Sequence, residues 1–322
     1  MKYELLYQNL LNQLRKRIPQ NTRLVKKMVD ILPLEKDAVY RRLRQEVPFT
    51  FEEIVVIAKA FNLSLDSLLG VDARTAFPFR YLTDDKGNNV NFDYLLFEEY
   101  IQAIKEVTAD SDGKISYITN LLPQAFFTGF DFIYRFYYFK WRYYSVPANQ
   151  TESFHEINLP DQLIQIAKEI FIHSKNVKNN SFILDYKIFQ DFVNDVIYFN
   201  NIRLLRNEDM VHIKDELFQL LDYMEAIATK GFVDNPSNEV FIYISDTSIE
   251  TSYSFFDSHS SLRLVLIWSF IFNSILSFDE KTVDMMRRQI QSRIRTSTLL
   301  SVTGVKYRKL YFDAQRRIVD QL

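Results

Sequence analysis

Six glycines among 322 residues, about a quarter of the ordinary ~7% usage, leave this chain few sites for left-handed turns or close backbone approach. That scarcity argues against a many-turned β sandwich and against phosphate-cradling loops. Neither G-x-x-x-x-G-K-[ST] nor G-x-G-x-x-G occurs. There is no cysteine, which removes disulfide scaffolds, Cys-ligated zinc, iron–sulfur clusters and thiol nucleophiles together. The 28 Phe and 19 Tyr, by contrast, must mostly be packed. With 47% hydrophobic and 25% charged residues, the length predicts about two domains with sizeable cores. A net charge of −2 excludes coating of nucleic acid by charge alone.

No address or anchor is evident. Met1-Lys2-Tyr3-Glu4 lacks the basic-then-apolar layout of a signal peptide. Leu264 to Leu276 is too short to span a bilayer, which takes roughly 20 residues. Ala125 to Tyr144 carries Asp131, Arg135, Lys140 and Arg142, too many charges for hydrocarbon. The expectation is a soluble, cytoplasmic protein.

The charge is unevenly distributed. Residues 1–72 hold 12 basic and 9 acidic side chains, whereas residues 73–322 hold 27 and 32. Arg15 to Arg44 alone has ten Lys or Arg against Asp30, Glu35 and Asp37. Either a solvated basic face or a polyanion-binding surface would look like this. The same stretch lies within a predicted run of five short helices. Leu6, Leu10 and Leu14 stripe the first; Leu24, Met28 and Ile31 the second, which stops at Pro33; Leu34, Val39 and Leu43 the third, ending before Pro48. The fourth opens on a T-x-x-E capping box, Thr50 to Glu53, with Phe49 and Ile54 as a hydrophobic staple and Asn62 beyond its end. The fifth runs from Ser64 to Gly70.

A short turn between the second and third helices makes a helix-turn-helix pattern, whose second helix can enter the ~12 Å major groove. From Leu24 to Gly70 the chain resembles the DNA-binding domain of λ-repressor/Cro-like (XRE-type) regulators. The resemblance is carried by Leu24-Val25-Lys26-Lys27-Met28-Val29, by Ala38-Val39-Tyr40-Arg41-Arg42-Leu43-Arg44, and by the stretch Thr50 to Leu69 that ends Leu63-Ser64-Leu65-Asp66-Ser67-Leu68-Leu69. It covers about one fifth of the chain. The family's turn glycine is replaced by Ile31-Leu32-Pro33-Leu34-Glu35, and its Glu-Arg-Gly after the third helix by Arg44-Gln45-Glu46-Val47. The resemblance implies a homodimer on double-stranded DNA. Lys36, Asp37, Tyr40, Arg41 and Arg44 are the candidates for base contacts. Thr22, Arg23, Lys26 and Lys27 are the candidates for phosphate contacts.

Residues 73–90 read as a linker, with Pro78 and the turn Asp84-Asp85-Lys86-Gly87-Asn88-Asn89. Helix resumes at Asn91 with Leu95, Leu96, Tyr100, Ile101, Ile104 and Val107. Asp112-Gly113 turns into a short strand, Lys114 to Thr119. Ala125 to Tyr144 holds 12 aromatic residues in 20, which suits a buried helix–helix seam better than a stacking platform for single strands. Further helices are predicted around Leu163–Phe171, Ile188–Phe199, Val211–Ile227, Asp279–Arg295 and Tyr307–Val319. Glu239 to Leu276 is β-rich. The expected fold is mainly α: a five-helix helix-turn-helix domain over 1–72, then a larger α-rich α+β domain over 91–322 with a small antiparallel sheet near its C-terminus.

No catalytic constellation or cofactor site emerges. His155, His173, His212 and His259 make no H-E-x-x-H, Ser258-His259-Ser260 lacks a G-x-S-x-G elbow, and Glu52-Glu53 and Glu98-Glu99 fall on predicted amphipathic helices. Lys281 to Arg317 forms a second basic cluster, ten Lys or Arg against Asp284 and Asp313. It reads as an exposed helix face, an ion-paired interface, a polyanion contact or a site for an anionic effector across Arg287–Arg317. The expected function is a DNA-binding regulator with a C-terminal domain for sensing or dimerisation. The alternative is a protein-interaction module whose helix-turn-helix does not bind DNA.

Overall fold

Among the described residues, four amphipathic helices build the head around the stripes read from the sequence: α1 (Lys2–Arg17), α2 (Asn21–Ile31), α3 (Lys36–Leu43) and α4 (Phe51–Ala60). The computed structural model describes residues 2–18, 20–61, 63, 80–81, 90–145, 151–258, 262–268 and 274–322. Outside them lie the predicted fifth helix Ser64–Gly70, Asn62, most of the predicted linker and His259-Ser260. The chain divides into two compact units, Met1–Pro78 and Phe79–Leu322. In the first, Leu10, Leu14, Leu24, Met28, Val39, Leu43, Ile54 and Ile57 share one buried cluster. α2 stops because Leu32 is held extended (φ −113°, ψ 145°) before Pro33. At the start of α4 the capping box is complete: Thr50 Oγ1 accepts the Glu53 N–H (3.2 Å) and Glu53 Oε2 accepts the Thr50 N–H (2.8 Å). Phe49 and Ile54, the staple pair, are both buried in the same cluster.

The second unit contains α5 (Val90–Thr108), α6 (Gln124–Phe127), α7 (Asp131–Ser145), α8 (Asp161–Ser174), α9 (Ile188–Asn201), α10 (Asn207–Lys230), α11 (Glu280–Arg295) and α12 (Val305–Val319). Its strands are β1 (Arg80–Tyr81), β2 (Lys114–Thr119), β3 (Asn179–Asp185), β4 (Glu239–Ser245), β5 (Tyr253–Asp257), β6 (Arg263–Trp268), β7 (Ser274–Ser277) and β8 (Ser297–Leu299). All eight join one sheet in the order β1-β7-β6-β5-β2-β3-β4-β8. This corrects the expected small antiparallel sheet near the C-terminus. The sheet is the organising layer of an α-rich α/β unit, and β2–β3 and β3–β4 pair in parallel. The physical reason is β3. Its run Ser181-Phe182-Ile183-Leu184 is buried throughout, as a central parallel strand is, and carries no alternation to announce it.

Period-two patterning assigns the two faces. Tyr117, Phe182, Leu184, Val240, Ile242, Phe256 and Leu266 join the large core beneath most of the helices. Ile118, Ile183, Phe255 and Val265 point the other way and meet Val283, Met286 and Ile290 of α11. The aromatic segment is the helix seam: Phe136, Tyr137 and Phe139 of α7 are buried, and Phe136 meets Phe192 and Phe199 of α9 edge-on (5.0 and 5.9 Å). Burial of these rings removes the single-strand stacking platform. Gly231, at φ +81°, closes α10 in the left-handed conformation that favours glycine. Among the described residues no helix is long and apolar enough to cross a membrane, and no group of three His, Asp or Glu is arranged to hold a metal ion.

Candidate nucleic-acid interface

α2 and α3 each bury one face and present the other. On α2, Leu24, Val25 and Met28 are buried while Thr22, Arg23, Lys26 and Lys27 are exposed. The first turn of α2 has no acidic residue, and Gln20 makes no side-chain cap bond there. No carboxylate there competes with a phosphate oxygen for the positive end of the helix. On α3, Val39 and Leu43 are buried. Lys36, Asp37, Arg41 and Arg44 are exposed and Tyr40 is half-buried. The spacings 36–40–44 and 37–41–44 place these five on one side of the helix. The Arg44 guanidinium lies over the Tyr40 ring (5.8 Å), and Arg41 and Arg44 both approach Glu46 (3.7 and 3.4 Å). Both are exposed pairs, worth little and exchangeable for phosphate.

The turn between the helices contains no left-handed residue: Leu32 is extended, and the N-cap Glu35 is too (φ −73°, ψ 157°). Pro33 is the centre of a tight turn in which the Leu34 N–H donates to the Leu32 carbonyl (2.7 Å). The left-handed position falls instead after α3. Gln45 has φ 67°; its N–H reaches the Arg42 carbonyl (3.0 Å) and the Glu46 N–H reaches that of Arg41 (2.9 Å). That bond pair is a Schellman closure with glutamine where glycine is usual.

What fixes α3 was not legible in the sequence. Arg42 turns inward and makes a two-pronged bond to Glu53, Nε to Oε2 and Nη2 to Oε1, each 2.9 Å. Both side chains are largely buried (14% and 12% exposed). Glu53 thereby caps α4 and ties down α3 with one carboxylate. From α1, the Tyr7 hydroxyl donates to the Arg42 carbonyl (2.9 Å) and accepts the Phe49 N–H (3.2 Å), and burial pushes its pKa up. Arg15 donates to the Leu43 carbonyl (3.2 Å). Of the ten cations between Arg15 and Arg44, Arg15, Arg17 and Arg42 are engaged within the fold. Arg23, Lys26, Lys27, Lys36, Arg41 and Arg44 form the exposed basic surface.

Neither a characterised protein nor a solved structure shows significant similarity to the chain. A family model does match: residues 3–92 fit the BetR domain, a helix-turn-helix-type DNA-binding family.

Proposed function

We propose that the chain is a sequence-specific double-stranded DNA-binding transcription regulator of bacterial type. Its helix-turn-helix docks as in XRE-type proteins, and its C-terminal unit senses a ligand or mediates dimerisation. The observation that carries this is the exposed side of α3, with Lys36, Asp37, Tyr40, Arg41 and Arg44 together and their helix braced through Arg42. α3 reads base edges, and Thr22, Arg23, Lys26 and Lys27 of α2 meet phosphates. A homodimer would place two such helices one DNA turn apart. The proposal includes no catalytic role. In the Arg287–Arg317 cluster, Arg287, Arg293, Arg308 and Arg316 are engaged within the fold. An anionic effector there would meet exposed Arg288, Arg295, Lys306, Lys309 and Arg317.

Selection of bound fragments from random duplex DNA tests the reading directly. On the selected site, Arg41→Ala should cost roughly 1–3 kcal/mol and much less on random DNA. Lys27→Ala should weaken both alike and reduce the salt slope by about one. Equal loss on both DNAs for Arg41→Ala would make this arginine a phosphate clamp. Exposed Phe51, Val55 and Val56 on α4 favour the second reading, a protein-interaction module. Failure to select any duplex would support it.

A further inference from the structure

In the second unit the sheet changes from parallel to antiparallel pairing at β2, whose neighbours are β3 and β5. Beyond the carboxyl end of β2 lies a cleft with about 430 Å³ of space unfilled by atoms, its mouth included. Crevices outside the carboxyl ends of strands are where open α/β sheets commonly bind ligands. Tyr100, Tyr117, Phe127, Tyr137 and Trp268 supply aromatic walls, and among the described residues no charged side chain lines the cleft.

Several of its polar groups are pre-oriented. The Tyr137 hydroxyl accepts the Leu122 N–H (3.2 Å), the Trp268 indole N–H donates to Ser254 Oγ (3.1 Å), and Ser252 Oγ lies 3.0 Å from Thr119 Oγ1. One group differs. Gln124 lines the cleft, is only 9% exposed, and its Oε1 has no hydrogen-bond partner. A buried acceptor without a donor is costly to leave unmet, and a charged ligand would find no counter-charge on these walls.

We propose that this cleft binds a small neutral molecule with a planar apolar body and an N–H or O–H group that donates to Gln124 Oε1. Burial raises the pKa of Tyr117 to about 12 and pushes those of Tyr100 and Tyr137 up as well. The phenols therefore stay protonated, and binding is independent of pH through the neutral range. The proposal rests on the sensing reading of the C-terminal unit for its biological role, and on the cleft alone for binding.

Full-length Trp141→Phe protein keeps Trp268 as its only tryptophan, a fluorophore in the cleft wall. Benzamide, phenol and indole are titrated against it beside benzoate, benzylamine and toluene, probes of similar size. The neutral donors should shift Trp268 emission saturably with Kd on the order of 1 mM, and the charged and donor-free probes should bind about tenfold more weakly. Gln124→Leu should erase the preference for benzamide over toluene. If that variant does not fold, the preference measured on the Trp141→Phe chain decides alone. No saturable shift with any neutral donor overturns the proposal, as does benzoate binding as tightly as benzamide. DNA affinity with and without saturating benzamide separates the two readings. Binding without effect on DNA leaves the cleft standing and removes its sensing role, whereas absence of binding leaves the DNA reading untouched.

Discussion

The two most basic stretches of the chain, Arg15–Arg44 and Lys281–Arg317, carry nearly equal net charge, +7 and +8, and deploy it differently. In the head, six of ten cations form an exposed surface on two adjacent helices. In the second unit four of the seven arginines are drawn into the fold, and the exposed cations are divided between α11 and α12, which pack into different core clusters. Arg287 bonds Asp257 (2.8 Å) and Arg316 bonds Asp222 and Glu225 (2.7 and 2.6 Å). Arg308, 8% exposed, donates to the carbonyls of Leu300 and, more weakly, of Ala228 and Val302 (2.8, 3.4 and 3.4 Å). Net charge therefore identifies a candidate surface only when the exposed cations gather on helices packed side by side, as on α2 and α3. Arg41 and Arg42 differ within two residues: one is exposed and the other is a structural tie.

The largest test of this contrast lies away from charge. Phe136→Ala removes a fully buried ring from the α7–α9 seam and should destabilise the second unit by about 3–5 kcal/mol. Duplex affinity measured below the new melting temperature should persist if DNA binding belongs to the head. Loss of both at once would show that the units do not act separately.

Arg42→Ala should come next, at about 2–3 kcal/mol, because it leaves the Glu53 carboxylate largely buried without its cation. It should also blunt discrimination between sites, since α3 loses its tie to α4. Arg42→Lys should restore part of the stability, lacking the two-pronged geometry. A variant of normal stability would mean that Tyr7 and Arg15 suffice to hold α3.

Sequence reasoning reached what is local and missed what is not. The capping box and staple of α4 span six residues and were readable from Phe49, Thr50, Glu53 and Ile54. The Arg42–Glu53 bond joins two helices, and periodicity says only that Arg42 is not at the centre of the buried stripe. Lys114–Thr119 announced itself by alternation after a turn. Asn179–Asp185 did not, because a strand covered on both faces has no polar side to alternate with, so the parallel core of the sheet stayed invisible. Gln124 carried no signal at all. Burial, which it shares with Gln315, is what sets it apart from the exposed glutamines.

Thr50→Ala tests the local end of that range. It removes the acceptor for the Glu53 N–H and should cost about 1 kcal/mol, read as a lower melting temperature of the head. Its effect should be smaller than that of Arg42→Ala, because the Arg42–Glu53 bond remains. Operator affinity of the folded variant should be unchanged. A loss of affinity at constant stability would put Thr50 in the interface rather than at a helix cap.

The smallest effect should have the opposite sign. Gln45 holds φ 67° after α3, a region that costs a side-chain-bearing residue about 1–2 kcal/mol relative to glycine. Gln45→Gly removes that strain while both closing bonds, Gln45 N–H to Arg42 and Glu46 N–H to Arg41, survive because they belong to the backbone. Part of the gain is offset by the greater freedom glycine gives the unfolded chain, about 0.4–1 kcal/mol. A net stabilisation of roughly half a kcal/mol is expected, read from chemical denaturation of the full chain. Affinity decides why glutamine stands there. Gln45 is exposed one residue beyond Arg44, next to the proposed base-reading side of α3. Stabilisation with unchanged duplex affinity makes the strain incidental. Stabilisation with weaker binding to the selected site means that the head tolerates a strained turn to keep an amide beside the DNA, and extends the recognition surface past the end of its helix.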